Sequence, residues 1–109
     1  LVGSSKAFEL ATMGTRVSAS DAEKIGLISK CVPDEELDRA VKVYTDYYAS
    51  APTKAIGLMK KMLNKSQSSS LKEMLEYEAY CQDIAGATYD YKEGTTAFLE
   101  KRKAAFKGE

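Results

Sequence analysis

The chain has 109 residues, with 16 basic and 16 acidic side chains and therefore no formal net charge. This balance argues against a general binder of nucleic acid or of an anionic membrane surface, because both need an excess of cations. No apolar run approaches the roughly 18 residues of a membrane helix, and the absence of histidine removes the commonest general base and metal ligand.

The length fits one small domain or part of a larger one. The sequence begins at Leu1, without a leading methionine or a secretory or transit segment, so we expect a fragment or a processed product in the cytoplasm. The only cysteines, Cys31 and Cys81, lack the Cys-x-x-Cys spacing of a metal or redox pair. They are therefore predicted to be reduced structural thiols.

The first part of the chain predicts two helices. The first is expected to be capped by Ser4 or Ser5 and to end at Gly14, because glycine readily adopts the left-handed conformation that closes a helix. Ser18, followed three residues later by an aspartate, resembles a capping box and predicts a short second helix that closes at Gly26.

An extended segment is predicted next. Residues 27–32 are largely apolar or β-compatible and are followed by Pro33, a pattern typical of a short strand or extended piece. A strand of this length cannot form a sheet alone, so it would need a partner strand from elsewhere.

Two further helices are predicted in the middle of the chain. Asp34 is expected to cap the third, whose large apolar residues between Leu37 and Tyr48 spread over more than one face and predict packing on two sides. Pro52 fits only the first position of the fourth. Its lysines indicate either a solvated face or attraction of an anionic ligand: Lys54, Lys60, Lys61 and Lys65.

The fifth helix has the clearest start signal. Residues 70–73, Ser-Leu-Lys-Glu, form a capping box, and the helix is expected to end at Gly86. Glu78 falls on its apolar face, which indicates either a buried structural contact or a proton-transfer group. The structural contact is the simpler interpretation, because acid–base catalysis needs a second positioned group and the sequence offers none.

A last helix is predicted to begin near Thr88 and Asp90, whose oxygens can accept from its first N–H groups. The cations at 101–103 are expected in its last turn, where they complement the helix dipole. Phe98 and Lys101, three residues apart, would then share a face. That pair offers an alternative role, since a ring beside an ammonium suits the base and phosphate of a nucleotide-like ligand.

Two stretches resemble the enoyl-CoA hydratase/isomerase (crotonase) family. One, at residues 90–108, reads DYKEGTTAFLEKRKAAFKG and is similar to the family's carboxy-terminal string, acidic-x-x-Glu-Gly-x-x-Ala-Phe-x-Glu-Lys-Arg-x-x-x-Phe. The other, at residues 1–37, reads LVGSSKAFELATMGTRVSASDAEKIGLISKCVPDEEL and resembles the family's Gly-x-x-x-Ala-x-Glu-Leu pattern with its later Gly-Leu and Val-x-Pro. The two occur in the family's order and spacing.

The helix signals and this resemblance together predict a mainly α structure of four to five helices with one short extended segment. The resemblance implies that it is the carboxy-terminal helical region of an α/β crotonase-like fold. Residues 1–109 would be the covering and oligomerisation region, with the amino-terminal ββα spiral domain absent. The intact parent would be an enoyl-CoA hydratase or isomerase acting on acyl-CoA thioesters in fatty-acid or aromatic-acid degradation. Its oxyanion donors and catalytic carboxylates would lie upstream, so this chain alone is expected to be inactive.

The resemblance also implies partners and site residues. Phe98 and Lys101 match family positions that contact the adenine and phosphate end of a CoA bound mainly to a neighbouring subunit. A homo-oligomer, trimer or hexamer, is therefore expected, with CoA entering as part of the substrate, no separate cofactor, no metal and no catalytic residue in this chain. Phe8 or Leu10 would border the acyl-chain pocket, and Gln82 stands where some hydratases of the family carry an aromatic residue.

A different class of function stays open at this point. A non-catalytic helical oligomerisation or interaction module would need the apolar stripes of these helices, but it would not need a Phe/Lys pair near residue 100.

Overall fold

The computed structural model describes residues 1–109, which form six α-helices and no strand. The helices are α1 (Gly3–Met13), α2 (Ala19–Lys24), α3 (Leu37–Ala49), α4 (Thr53–Ser66), α5 (Leu71–Gly86) and α6 (Tyr89–Leu99). The predicted mainly α fold is confirmed, with six helices in place of four to five. None of them combines the length and the hydrophobicity that crossing a bilayer would require.

The chain divides into two compact units, Leu1–Val41 and Lys42–Glu109. The first unit contains α1, α2 and the start of α3. The second contains the rest of α3, the helices α4 to α6 and the segment after α6. The predicted ligand-binding residues belong to the second unit.

Helix α1 ends as predicted but begins differently. Gly14 follows it in the left-handed conformation, with φ of 59°. Its N-cap residue is Val2, and no side chain caps the helix, so the predicted cap by Ser4 or Ser5 is wrong. Both serines lie inside the first turn, because the helix begins at Gly3.

Helix α2 begins at the predicted cap. The Ser18 Oγ accepts a hydrogen bond from the Asp21 N–H at 3.1 Å, and the Ser18 hydroxyl donates to the Asp21 carboxylate at 2.6 Å. In a full capping box the carboxylate would accept from the Ser18 backbone instead, so this is a variant of that motif. Gly26, with φ of 74°, follows the helix.

The segment predicted to be a short strand, residues 27–32, forms bends and irregular backbone, so that prediction is wrong. The Leu27 N–H donates to the Ala22 carbonyl at 2.8 Å, and the Cys31 N–H donates to the Glu23 carboxylate at 3.2 Å. Because α2 supplies these acceptors, the segment needs no partner strand to satisfy those amides.

Helix α3 also begins differently from the prediction. Asp34 does not cap it but opens a 3₁₀ turn, Asp34–Glu36, with Pro33 at the N-cap position and no side-chain hydrogen bond there. The turn continues directly into α3 at Leu37.

In the second unit, α5 packs against both α4 and α6. The predicted capping box of α5 is complete. The Ser70 Oγ accepts from the Glu73 N–H at 3.3 Å, and the Glu73 carboxylate accepts from the Ser70 N–H at 2.7 Å. Pro52 is the N-cap residue of α4, one position before the predicted place. Thr88 caps α6 as predicted, its Oγ1 accepting from the N–H three residues later at 3.1 Å.

The buried apolar core is small and consists mostly of small side chains. Its members are Ala22, Ala51, Leu58, Cys81 and Ala97. Many large apolar side chains are exposed, among them Phe8, Val43, Tyr47 and Leu99. The exposed apolar surface is therefore extensive, and α3 carries much of it, with Tyr47 65% exposed.

Both cysteines are free thiols, as predicted. Cys81 is 2% exposed in α5, and Cys31 is half-buried in the first unit. Cys81 therefore serves as a small apolar core residue.

Replacing Ser70 with alanine should lower the free energy of unfolding by about 1 kcal/mol, because the Glu73 N–H in the first turn of α5 loses the Ser70 Oγ as its acceptor. Urea unfolding followed by circular dichroism would measure the change. Ser68→Ala is the matched control, since its exposed side chain makes no hydrogen bond. Equal effects of the two substitutions would contradict a stabilising role for the capping box.

Candidate functional site

Helix α6 ends earlier than predicted. Its last residue is Leu99, so the cations at 101–103 lie beyond the helix and the prediction that they form its last turn is wrong. Lys101 has φ of 54° and is the one non-glycine residue of the chain in the left-handed region. Phe98 and Lys101 are therefore neighbours across a helix end, rather than along a helical face.

Two backbone hydrogen bonds close this helix end as a Schellman motif. The Lys101 N–H donates to the Phe98 carbonyl at 3.3 Å, and the Arg102 N–H donates to the Ala97 carbonyl at 3.0 Å. Glycine usually occupies the left-handed position, because a side chain there costs roughly 1 kcal/mol or more. A lysine at this place is thus a backbone outlier of the kind that often marks a functional site.

Arg102 joins the turn to the body of α6. Its guanidinium donates to both Glu93 carboxylate oxygens, at 2.6 and 3.0 Å, and its Nε donates to the Glu100 carboxylate at 2.6 Å. Glu93 also accepts from the Ala105 N–H at 2.8 Å, and its side chain is only 10% exposed. The planar fork of arginine matches a carboxylate in this two-bonded geometry, which fixes orientation as well as distance.

These contacts hold the Glu93–Arg102 pair in its charged form. The hydrogen bonds from the Arg102 side chain, followed by the one from the Ala105 N–H, lower the pKa of Glu93 from its usual 4.5 to about 2. The same contacts raise the pKa of Arg102 above its usual value. The pair therefore stays ionised across the physiological pH range.

Asp90 holds the last residues of the chain. It is 4% exposed, and its two carboxylate oxygens accept from the Lys107 N–H at 2.7 Å and the Gly108 N–H at 2.9 Å. Its own N–H donates to the Glu109 carbonyl at 3.1 Å. The prediction that Asp90 bonds the first turn of α6 is therefore wrong, because its carboxylate is used by the segment at 100–109.

The 100–109 segment also packs on α6 and reaches α4. A Cβ at Gly94 would lie 3.4 Å from the Phe106 ring, which shows how closely that ring approaches the helix. Gly108 has φ of 80°, and a Cβ there would lie 2.5 Å from the Thr53 hydroxyl. An apolar cavity of about 250 Å³ borders Phe106 on one side and includes Pro52 from the start of α4 in its wall.

Seven of the nine positions that the family's string specifies within residues 90–108 are thus occupied in holding the chain together. They bond the segment, pack against it or are buried: Asp90, Glu93, Gly94, Ala97, Glu100, Arg102 and Phe106. The two predicted ligand-binding residues are the exceptions. Phe98 is 82% exposed, and the exposed Lys101 side chain makes no ion pair or hydrogen bond. The backbone bond from the Lys101 N–H to the Phe98 carbonyl places both residues in one turn.

The roles of Glu93 and Arg102 were not anticipated from the sequence. The available signal is the spacing of Asp90 and Glu93, three residues apart and so on one face of α6, with an arginine just after the helix. That spacing shows that the carboxylates can act together, but not which backbone amides they bind.

The other candidate groups are surface residues. Glu78 is exposed and makes no hydrogen bond or ion pair, so the predicted buried contact is wrong for this chain. The α4 lysines are exposed as well, and Lys65 lies 5.4 Å from the centre of the Tyr77 ring. Gln82 borders a small cavity of about 90 Å³ between α4 and α5. No cluster of three or more His, Cys, Asp or Glu residues is arranged to hold a metal ion.

Comparison with known proteins finds similar sequences along the whole chain. The sequence profile of the family described as "Enoyl-CoA hydratase/isomerase" matches residues 1–109. A 1,2-epoxyphenylacetyl-CoA isomerase of Escherichia coli (strain K12) is 35% identical over 99% of this chain and 41% of its own length. A mitochondrial enoyl-CoA hydratase of Pongo abelii is 39% identical over 97% of this chain and 37% of its own.

A solved structure shows the same arrangement of helices. Enoyl-CoA hydratase subunit I from Geobacillus kaustophilus HTA426 superposes with a TM-score of 0.92 at 34% identity, over 100% of this chain and 42% of that protein. The chain therefore spans about two-fifths of the length of the relatives that it matches.

The ionised Glu93 should give the protein a specific acid sensitivity. Since its folded pKa is near 2 and its usual value is 4.5, the stabilisation is present above about pH 4.5 and is lost as the pH falls towards 2. Urea unfolding from about pH 6 to about pH 3 should show a shallower loss of stability for Glu93→Gln than for the unsubstituted protein. Parallel curves would show that Glu93 does not titrate with folding.

Gly108→Ala should lower the free energy of unfolding by about 1–2 kcal/mol, because an alanine would adopt a left-handed φ and crowd Thr53. Gly57→Ala in α4 is the control. A Cβ there meets nothing within 4 Å, so alanine should stabilise the helix by about 0.5–1 kcal/mol. Thermal unfolding of both variants measures these changes. An unchanged stability of Gly108→Ala would mean that Gly108 does not lie against Thr53 in the left-handed conformation.

Proposed function

The chain belongs to the enoyl-CoA hydratase/isomerase family, and from that membership we propose that it is the carboxy-terminal helical part of an enzyme acting on acyl-CoA thioesters. Its task there is to contribute contacts to CoA and to cover and assemble the subunits. Hydration or isomerisation of acyl groups in fatty-acid or aromatic-acid degradation is the class of reaction that fits the relatives' names.

One observation carries the CoA contact. Among the nine positions that the family's string specifies, Phe98 and Lys101 are the two with no structural task, and both side chains are exposed at the same turn. A large aromatic ring that is 82% exposed gains nothing from the fold of this chain. A lysine kept in a left-handed turn costs stability, which supports a role in binding.

The chemistry of the pair suits the nucleotide end of CoA. That end carries an adenine ring, which stacks on an aromatic side chain, and phosphates, which accept charge-assisted hydrogen bonds from an ammonium. Arg102, the nearest other cation in sequence, is already occupied by Glu93 and Glu100. Lys103 is also exposed and makes no ion pair, but Lys101 is the unpaired lysine closest to Phe98 after α6 and shares its turn.

We place the chemistry of the thioester in the part of the polypeptide that this chain does not span. In the family the thioester carbonyl is polarised by two backbone N–H groups, and acidic side chains move the protons. Donors aimed at developing enolate charge contribute about 3–4 kcal/mol each to transition-state stabilisation. Glu78, the one candidate acid in a helix face here, is exposed and has no partner group. We therefore expect this chain alone to be inactive.

The covering and assembling role is supported by the exposed apolar surface. Tyr44, Tyr47 and Tyr48 on α3 are each about half exposed or more, and Leu99 at the end of α6 is 79% exposed. Monomeric proteins rarely leave so many large apolar side chains in water. We propose that the remainder of the polypeptide and neighbouring copies cover them, in a trimer or hexamer.

Lys101→Ala should weaken CoA binding by the full-length protein on the order of tenfold or more, as expected for loss of one charge-assisted phosphate contact. Lys101→Gly should weaken binding equally while keeping or raising stability by up to about 1 kcal/mol, because glycine relieves the left-handed φ. Titration calorimetry measures the affinity and thermal unfolding the stability.

Lys92→Ala is the matched control, since Lys92 is exposed on α6 and makes no ion pair. It should leave CoA affinity unchanged. Unchanged affinity of Lys101→Ala, in an oligomer that stays assembled, would refute the CoA contact. No CoA binding by the unsubstituted protein would favour a non-catalytic interaction module.

A further inference from the structure

We propose that Glu93 and Arg102 are positioning residues for the CoA contact, because their ion pair holds Lys101 in its left-handed turn and so fixes where the ammonium lies. This inference rests on the proposed function, since it assigns a task to residues that would support Lys101. The side chains of Glu93 and Arg102 do not themselves contact the ligand, because their hydrogen-bonding groups are already engaged with each other and with the turn.

The residues on both sides of Lys101 are tied to each other. The Arg102 Nε donates to the Glu100 carboxylate at 2.6 Å, so this bond bridges the strained position. The backbone bond from the Arg102 N–H to the Ala97 carbonyl, at 3.0 Å, joins the same turn to the last part of α6. Lys101 therefore has little freedom to leave the left-handed conformation while the bridge holds.

The bridge is anchored on the helix. Arg102 bonds both oxygens of Glu93, a residue nine positions earlier that lies within α6. Glu93 in turn accepts from the Ala105 N–H at 2.8 Å, beyond the turn. The turn is therefore closed on both sides by one carboxylate that is mostly withdrawn from solvent, with its side chain 10% exposed.

This arrangement prepares Lys101 for binding. A lysine on an unconstrained chain would lose backbone freedom when it met a phosphate, and that loss would weaken the complex. Here the backbone is ordered before the ligand arrives, and only the side chain remains to be immobilised. The strain at Lys101 is then offset by the ion pair rather than by the ligand.

A purely structural role for the pair makes a different prediction. Asp90 already holds the far end of the 100–109 segment through the Lys107 and Gly108 amides. If Glu93 only added to that attachment, its loss would affect the protein as a whole. If Glu93 positions Lys101, its loss should weaken binding only of ligands that carry the nucleotide end of CoA.

A double-mutant cycle in the full-length protein separates these possibilities. Glu93→Gln, Lys101→Ala and the double variant are compared by calorimetric titration with CoA. Glutamine keeps an acceptor for the Ala105 N–H but removes the charge that binds Arg102. We expect Glu93→Gln to weaken CoA binding about threefold to tenfold, and the double variant to bind no more weakly than Lys101→Ala alone. Additive losses would overturn the inference.

A second measurement uses an acyl-pantetheine thioester, which lacks the nucleotide end of CoA. Glu93→Gln should lower kcat/KM for the acyl-CoA substrate but leave kcat/KM for the acyl-pantetheine substrate unchanged. Equal losses on both substrates would show a general structural role and overturn the inference. Asp46→Asn, which removes an exposed ion pair with Lys42 at 2.8 Å, is the matched control and should change neither value.

The two proposals fail separately. If Lys101→Ala leaves CoA affinity unchanged, the CoA contact itself is refuted. If Lys101→Ala weakens binding and Glu93→Gln does not, only the positioning role is refuted. Arg102→Lys serves as a second variant wherever Glu93→Gln yields little folded protein. It keeps the charge but loses the two-bonded fork, so it should reproduce part of the affinity loss, and full CoA affinity would refute the inference.

Discussion

Two carboxylates on one face of α6 determine the course of the chain after that helix. The 100–109 segment has no regular secondary structure, so its backbone N–H groups need acceptors from elsewhere. Glu93 accepts from Ala105, and Asp90 accepts from Lys107 and Gly108. Because the two carboxylates lie one helical turn apart, the amides they bind are fixed along the helix, and the Phe106 ring is held over Gly94.

The same contacts separate structural residues from candidate binding residues within one short string. Arg102 has its guanidinium engaged with Glu93 and Glu100. Phe98 and Lys101 stay exposed at the turn that this arrangement shapes. A family-like motif can therefore serve two purposes, with most of its residues building a turn and two of them presented by it. The proposed CoA contact and the proposed positioning role describe these two purposes.

The small buried core is the reason why we propose that other protein surfaces cover this chain. The buried apolar residues are mostly alanine and cysteine, with Leu58 the largest among them. Side chains cap α2, α5 and α6, but helix capping stabilises secondary structure and does not remove apolar surface from water. Large side chains such as Tyr47 and Leu99 remain exposed. Their burial requires surfaces that this chain does not provide, in keeping with its span of about two-fifths of its relatives.

The sequence by itself determined the helical class, the caps at Ser18, Ser70 and Thr88, and the identity of the candidate pair. Caps are predictable because their hydrogen bonds join residues three positions apart. The tertiary structure alone decided what Asp90 binds, because its partners are amides 17 and 18 residues away. It also decided where α6 ends, because Arg102 after the helix bonds Glu93 nine residues earlier. It also decided that Glu78 is exposed: periodicity shows which residues share a helix face, but only packing shows whether that face is covered.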